Sequence, residues 1–117
     1  MSLNWCPWVS WNTLTADGRR LGGANIPSKP GVYEAKFVEA KDSLHIGRTD
    51  NLRRRVKQGM VKGKIPHSAG ERIRAVEDVS RIVVRWAETD RQVEVEAELH
   101  KEHVRRFGAL PRHDRRT

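Results

Sequence analysis

Glu96 is the residue of this 117-residue sequence whose position most needs a chemical explanation. At about 100° per residue, a helix over residues 90–107 gathers its apolar residues on one side, and Glu96 falls inside that arc. A carboxylate that faces the core without a partner is strongly destabilising, so we expect a metal ion or a basic group beside it. A structural salt bridge, for instance to an arginine of the third strand, is the alternative. The apolar arc consists of Val93, Ala97, Leu99, His100, Val104 and Phe107.

Net charge and length limit the classes of protein that the sequence fits. The chain has a net charge of +8 and a pI near 10.4, which favours a polyanionic partner, either nucleic acid or an anionic membrane surface. Membrane insertion is not expected, because no apolar run approaches the roughly 18 residues that span a bilayer. Cys6 is the single cysteine, so an internal disulfide and a cysteine zinc cluster are excluded. We therefore expect one small domain in a reducing, cytoplasmic setting.

Basic residues follow directly on a predicted hairpin. Residues 31–38 and 43–47 each alternate between two faces and are separated by a polar connection, which is typical of a β-hairpin. After it, Leu52, Val56 and Met60 recur every fourth residue and predict a helix whose other faces are cationic. Such side chains contact phosphate groups without reading sequence. The candidate nucleic-acid contacts are Arg48, Arg53, Arg54, Lys57, Lys62, Lys64 and His67.

The remaining elements complete a small mixed fold. Residues 61–70 contain two glycines and a proline and predict a surface loop, and residues 69–77 predict a short helix. Residues 79–87 alternate apolar and polar side chains and predict a third strand. We therefore predict an α/β (α+β) domain, in which helices flank a three-stranded, mainly antiparallel sheet in β-β-α-β-α order.

Residues 1–29 form a tryptophan-rich extension ahead of a domain over residues 30–117. Trp5, Trp8 and Trp11 recur every third residue and offer a large area, either for burial or for stacking on nucleobases. Because tryptophan is buried more often than not, we expect these side chains to cover a face or an edge of the sheet. The extension is therefore predicted to pack on the core.

Short motifs of this sequence resemble those of the GIY-YIG endonuclease family. Residues 31–33 (Gly-Val-Tyr) are similar to the first motif, and residues 45–47 (His-Ile-Gly) to the second, with histidine in place of its tyrosine. Residues 51–55 resemble the element that ends in the family's catalytic arginine, and residues 96–99 resemble its Glu-Ala-x-Leu element. Their spacing along residues 26–114 makes the resemblance fairly specific.

The resemblance implies hydrolysis of phosphodiester bonds in DNA with a divalent cation, Mg²⁺ or Mn²⁺. In this implied mechanism Tyr33 orients or deprotonates the attacking water, with His45 beside it. Arg55 holds and polarises the phosphate, and Glu96 holds the cation. Mg²⁺ suits a site with one carboxylate because it keeps most of its waters. A tyrosine has a pKa near 10 in solution, and the cation and the arginine are expected to lower it.

Other matching positions are expected to support this site. Gly31 and Gly47 allow close backbone approach or a bulge, and Asn51 begins the basic element. Asp114 stands where the family's closing Pro-x-x-Asn motif has asparagine, so it keeps an acceptor and loses a donor. His67 lies at a distance where some members carry an active-site histidine; an exposed loop histidine is the alternative.

Several alternatives remain open on the sequence alone. Tyr33 fits the pattern of a core tyrosine, Arg53 borders the apolar stripe as Arg55 does, and Glu98 replaces Glu96 if the register is shifted. Histidine at position 45 suits acid–base work, but it also fits a member that has drifted from cutting to binding. His100 and His103 are expected to pack on the helix face rather than to bind zinc.

The function predicted from these residues is a Mg²⁺-dependent endonuclease acting on DNA, with RNA not excluded and the oligomeric state open. The runner-up is a non-catalytic, basic nucleic-acid-binding module of the same fold, and a third hypothesis is an RNA-associated protein whose tryptophans stack on bases. Convergence of Glu96 and Arg55 on one cleft with Tyr33 favours cutting. A salt bridge that holds Glu96 away from Tyr33 favours binding.

Overall fold

The described part of the chain, residues 3–15 and 25–115 of a computed structural model, is built around a four-stranded antiparallel sheet. Its strands are β1 (Val9–Ser10), β2 (Gly31–Phe37), β3 (His45–Thr49) and β4 (Ile82–Glu88), and their order across the sheet is β1-β4-β2-β3. The helices are α1 (Trp11–Leu14), a π-helix over Arg53–Val61 that we call the basic helix, α2 (Ser68–Val76) and α3 (Gln92–Phe107). Single 3₁₀ turns cover Val79–Arg81 and Arg112–Asp114. The predicted α+β class is confirmed, whereas the three-stranded sheet becomes four-stranded.

The central strand β2 pairs with a strand on each side. Tyr33 lies opposite Gly47 of β3 and opposite Trp86 of β4. A Cβ atom at Gly47 would lie 2.5 Å from the Tyr33 hydroxyl oxygen, so only glycine leaves room there for the phenol. Strand alternation turns Glu34 to the opposite face, where it forms an ion pair with Arg85 at 2.8 Å. The register of this sheet therefore decides where the tyrosine hydroxyl lies.

The sheet separates two apolar layers. The basic helix and α2 pack on the face of Tyr33 through buried side chains at helical spacing, such as Leu52, Val56 and Ile73. Helix α3 packs on the other face, where Val95 contacts a smaller cluster with Val32. Among the described residues, no helix combines the length and apolarity that a membrane span requires.

The fourth strand comes from the tryptophan-rich extension. Val9 of β1 pairs with Val84 of β4, and the Trp11 side chain that follows is 1% exposed in the larger apolar layer. Trp5 and Trp8 lie on the opposite face of the sheet, where both rings stack on the Arg85 guanidinium at 4.1 and 4.5 Å. Residues 3–15 therefore cover both faces beside β4. Residues 16–24, which complete the predicted extension, lie outside the described residues.

Helix α3 faces the sheet with a different side from the one predicted. Val93 and Val104 are 53% and 43% exposed and Ala97 is also exposed, whereas Val95 and His103 are buried. A helical wheel gives the angles between side chains, but contacts with the sheet decide which side turns inward. Both His103 nitrogens form hydrogen bonds, Nε2 with the Ser43 amide and Nδ1 with the Ala109 carbonyl oxygen. The pattern of apolar residues did not predict these polar contacts.

Two other predicted boundaries also differ from the structure. Residues 61–70 do not form a simple surface loop. Val61 closes the basic helix, and His67 is buried together with Ala69 and Gly70 in the first turn of α2. The third predicted strand begins at Ile82, since Asp78 accepts a hydrogen bond from the Ser80 amide and holds a 3₁₀ turn before it.

Replacement of Trp11 by alanine tests whether the extension belongs to the folded unit. Trp11→Ala removes a fully buried indole, so we expect the free energy of unfolding in urea to fall by about 3–5 kcal/mol. Trp8→Ala is the matched control: this residue is 37% exposed, and we expect a smaller loss of about 1–2 kcal/mol. Equal losses in the two variants would contradict the packing of residues 3–15 described above.

Candidate active site

The Tyr33 hydroxyl group is surrounded by polar side chains from three parts of the chain. It lies 2.8 Å from His67 Nε2 and 3.4 Å from His45 Nε2, and the positive charge of the nearby Arg55 guanidinium favours its ionised form. Burial raises the pKa of Tyr33 to about 12, although the positive charge of Arg55 opposes that rise. The ring is thus a core residue, as one alternative predicted, while its hydroxyl group belongs to a polar cluster.

His67 joins this cluster from the start of α2. Its side chain is the helix cap, because Nδ1 accepts a hydrogen bond from the Gly70 amide at 2.9 Å. The residue is 2% exposed, so the alternative of an exposed loop histidine is wrong, and with it the predicted surface contact to nucleic acid. Burial, together with the nearby His45 and Arg55, lowers the pKa of His67 to about 3. The imidazole is therefore neutral at physiological pH.

His45 is held by Asp114, which arrives from the 3₁₀ turn near the carboxyl end. His45 Nδ1 is hydrogen-bonded to Asp114 Oδ1, and the Ile46 amide donates to Asp114 Oδ2 at 2.9 Å. His100 Nε2 lies 3.3 Å from the same oxygen and 2.9 Å from the Ile46 carbonyl oxygen. Burial alone raises the pKa of Asp114, but the hydrogen bonds from His100, His45 and Ile46 outweigh it and hold this pKa well below its usual range. Asp114 is thus an ionised carboxylate that accepts two hydrogen bonds and lies beside His100.

Arg55 is the arginine of the basic helix that reaches the cluster. Its Nη1 donates to the Pro66 carbonyl at 3.1 Å, and its guanidinium group faces the Tyr33 hydroxyl. Arg53 and Arg54 are exposed to solvent. The geometry therefore selects Arg55 from the two arginines that border the apolar stripe.

Glu96 lies at the rim of the same region. Its side chain is 23% exposed, and Oε1 lies 3.3 Å from Nε of Arg48, whose side chain is 50% exposed. The salt bridge predicted as an alternative therefore exists, but its arginine belongs to β3 rather than to the third predicted strand. Glu96 also lines an open groove with His45, His100 and Asp114. An exposed single ion pair contributes little to stability, so Arg48 does not hold Glu96 against a competing cation.

The donor groups near Glu96 fit one kind of metal site. Within residues 3–15 and 25–115, no group of three or more histidine, cysteine, aspartate or glutamate side chains could hold an ion by itself. Glu96 offers a single carboxylate next to open space. Mg²⁺ accepts such a site because it takes one or two carboxylates and keeps several waters, whereas structural zinc takes four protein ligands.

The other predicted positions lie around this centre or outside it. Asn51 caps the basic helix through a hydrogen bond from the Arg54 amide at 3.0 Å, and a Cβ atom at Gly31 would lie 2.3 Å from the Ala87 carbonyl oxygen. These residues act on the backbone and do not contact the Tyr33 hydroxyl group. Among the predicted basic contacts, Lys57 and Lys62 are half-buried and Lys64 is exposed.

Comparison with known proteins gives two relatives and one solved structure. No protein-family model matches the sequence. The UvrABC system protein C of Christiangramia forsetii is 31% identical over 90 residues, and that of Caldicellulosiruptor saccharolyticus is 32% identical over 95 residues. These alignments cover 77% and 79% of this chain and 15% of each relative, so the chain spans a small part of their length.

The solved structure is the GIY-YIG N-terminal endonuclease domain of UvrC from Thermotoga maritima, a point mutant bound to its catalytic divalent cation. It matches with a TM-score of 0.51 at 22% identity and covers 79% of this chain and 89% of that domain. This chain has the GIY-YIG fold. The resemblance inferred from the short motifs is therefore confirmed.

One residue beside Asp114, His100, was assigned only a packing role from the sequence. His100 contacts both Asp114 and the backbone of the second motif, and its hydrogen bond to Asp114 raises the pKa of His100. The available signal was its spacing, because a residue four positions after Glu96 lies on the same side of a helix. Sequence reasoning favoured packing because a histidine beside an apolar arc usually packs there.

Acid titration tests the neutral, buried state of His67. The unfolded chain binds a proton at this residue below about pH 6.5, whereas the folded chain does not until about pH 3, so stability falls as pH drops through this window. We expect this residue alone to remove on the order of 2 kcal/mol between pH 6.5 and pH 4.5. His67→Asn keeps a capping side chain but does not titrate, so its stability should fall less steeply. Parallel curves of unfolding free energy against pH would contradict the assignment.

Proposed function

We propose that this chain is a Mg²⁺-dependent endonuclease that hydrolyses phosphodiester bonds in DNA. The observation that supports this function best is the placement of three groups from distant parts of the chain. The Tyr33 hydroxyl group faces the Arg55 guanidinium, and Glu96 lines the groove of His45, whose ring contacts Tyr33. A packed core does not require a guanidinium beside a buried hydroxyl group and a carboxylate in the adjoining groove, whereas phosphoryl transfer uses groups of all three kinds.

Each group has a role that its chemistry suits. Arg55 carries a permanent positive charge on a planar fork, which binds the scissile phosphate and stabilises the charge that develops on its oxygens. Tyr33 and His45 act at the attacking water, where a proton must be removed. Glu96 holds the divalent cation, which supplies Lewis acidity at the phosphate and at the departing oxygen. Arg48 is a monodentate and exposed partner of Glu96, so a cation can take its place.

The basic surface of the domain accounts for binding to the DNA backbone. Exposed arginines of the basic helix lie on the solvent side of the helix that delivers Arg55. Contacts of this kind fix the position of a duplex without reading its sequence, and each one releases condensed counterions. The proposed phosphate contacts are Arg48, Arg53, Arg54, Lys57, Lys62 and Lys64.

The known similar proteins support a nuclease of this class. The structural neighbour is named an endonuclease domain and is bound to a catalytic divalent cation. Both sequence relatives are named UvrABC system protein C, which favours a role in DNA repair over restriction for this chain. A binding module without turnover is the second candidate, and the Arg48–Glu96 ion pair is the observation that favours it.

Removal of the Glu96 charge distinguishes the two candidates. We expect wild type to nick supercoiled plasmid with Mg²⁺ and not with EDTA, and Glu96→Gln to lower the rate by at least about 100-fold because the cation loses its carboxylate. Glu98→Gln is the matched control on the exposed side of α3 and should nick at nearly the wild-type rate. Tight plasmid binding by wild type without any nicking would favour the binding module.

Neighbouring arginines of the basic helix should separate binding from catalysis. Arg54→Ala removes an exposed charge, so we expect modestly weaker DNA binding and a shallower dependence of affinity on salt, by about one unit of slope. Arg55→Ala should chiefly lower the cleavage rate, by about 100-fold, because Arg55 faces the Tyr33 hydroxyl group. Affinity at several salt concentrations and single-turnover cleavage measure the two effects. The reverse ranking would move the phosphate site to Arg54.

A further inference from the structure

Two positions at which polar residues of this chain depart from the family motifs lie in direct contact. His45 stands where the second motif has tyrosine, and Asp114 stands where the closing motif has asparagine. The two residues are 69 positions apart, yet His45 Nδ1 is hydrogen-bonded to Asp114 Oδ1 and both side chains are about nine-tenths buried. Two substitutions that meet in the fold suggest one joint function rather than two separate losses.

The environment of Asp114 suits a carboxylate rather than an amide. The His45 ring and the Ile46 amide, at 2.9 Å, each donate to one of its oxygens, and His100 Nε2 lies 3.3 Å from Oδ2. An asparagine here would turn its amino group toward at least one of these donors. Aspartate accepts both hydrogen bonds and supplies a negative charge beside the histidine.

These contacts fix the protonation of the His45 ring. Because Asp114 is ionised and can only accept, the neutral ring carries its proton on Nδ1. Its Nε2 atom therefore presents a lone pair, and this lone pair faces the Tyr33 hydroxyl group at 3.4 Å. Asp114 thus sets the tautomer of His45 from the far side of the ring.

The second histidine at Tyr33 is fixed in the opposite tautomer. His67 Nδ1 accepts a hydrogen bond from the Gly70 amide at 2.9 Å, so its proton lies on Nε2 and is donated to the Tyr33 oxygen at 2.8 Å. Arg55, the third neighbour of the hydroxyl group, can also only donate. Among the described side chains bonded to this hydroxyl, His45 Nε2 is therefore the acceptor for the tyrosine proton.

We propose that Asp114, His45 and Tyr33 form a proton relay in which His45 takes the Tyr33 proton and Asp114 positions His45 to receive it. The relay rests on the proposed nuclease function, because it activates the water of that reaction. Burial raises the pKa of Tyr33 to about 12, so the phenol does not act as a base at neutral pH unless a neighbouring group accepts its proton.

Each proton that moves in the proposed step has a donor and an acceptor. The Tyr33 O–H bond breaks as its proton moves to His45 Nε2, which leaves an imidazolium paired with the Asp114 carboxylate. The phenolate oxygen takes a proton from the attacking water, whose oxygen forms a bond to phosphorus. The bond from phosphorus to the 3′ oxygen breaks, and this oxygen keeps the electron pair and takes a proton from solvent. His45 then returns its proton to solvent, so the net reaction consumes one water.

A tautomer measurement on the metal-free chain tests the relay without any cleavage assay. In long-range proton–nitrogen spectra of the ¹⁵N-labelled full chain at neutral pH, we expect His45 protonated on Nδ1 and His67 protonated on Nε2. Asp114→Asn should abolish the preference of His45 for Nδ1. Protonation of wild-type His45 on Nε2 would overturn the relay, because that nitrogen could no longer accept from Tyr33.

Kinetics test whether this arrangement contributes to the reaction. We expect Asp114→Asn to lower kcat by about 10²–10⁴-fold, in the range of a lost acid–base group, with a much smaller change in KM. The control for stability is Glu77→Gln, which breaks the other buried histidine–carboxylate pair, His113 Nε2 to Glu77 Oε2 at 2.8 Å. It should destabilise the fold but leave the His45 tautomer unchanged.

A double-mutant cycle tests the pairing itself. His45→Tyr with Asp114→Asn returns both positions to the residues of the family motifs. Because Asp114 acts through His45 in the relay, we expect the double variant to cleave no more slowly than His45→Tyr alone, whereas independent roles would make the two losses multiply. Multiplying losses, or Asp114→Asn with wild-type kcat, would overturn the relay while the nuclease function stands. A wild type that does not nick DNA with Mg²⁺ would overturn both.

Discussion

Burial of the Tyr33 ring with its hydroxyl group at a polar cluster is the constraint on which both the fold and the site depend. The ring belongs to the larger apolar layer, and the position opposite it on β3 is a glycine that leaves space for it. A buried hydroxyl group needs partners, and the chain brings His45, His67 and Arg55 to it from three separate elements. The same tyrosine therefore belongs both to the apolar core and to the polar cluster.

Local sequence patterns predicted the parts of the fold that depend on spacing along the chain. Apolar residues repeat every second position in β2, β3 and β4 and every fourth position in the basic helix, and these repeats predicted the elements. The tripeptides and the Asn-Leu-basic run predicted the resemblance to the GIY-YIG fold, because their spacing is as specific as their residues. The same reasoning identified Glu96 as a carboxylate in need of a partner, although it predicted the wrong side of α3 as buried.

Contacts between distant residues account for what the sequence did not predict. The side of α3 that turns inward is chosen by Val95 and His103 through their contacts with the sheet and with Ser43, which no helical wheel contains. His67 caps α2 through its neighbour Gly70, but its hydrogen bond to the Tyr33 hydroxyl group, 34 positions away, is a contact that local sequence does not predict. Sequence reasoning treated the two departures from the family motifs, at positions 45 and 114, as separate weaknesses. Only the folded chain places them in contact.

The pairing of β1 with β4 has a consequence for how the domain avoids self-association. Without residues 6–10, β4 would be an edge strand, with unpaired backbone groups along Val83–Trp86 available to a strand of another molecule. The extension covers this edge with two β-bridge pairs and a hydrogen bond from the Cys6 amide to the Trp86 carbonyl at 3.0 Å. A shortened chain that began at residue 30 would therefore leave the backbone groups of β4 open to a strand of another molecule, even with the polar cluster around Tyr33 intact.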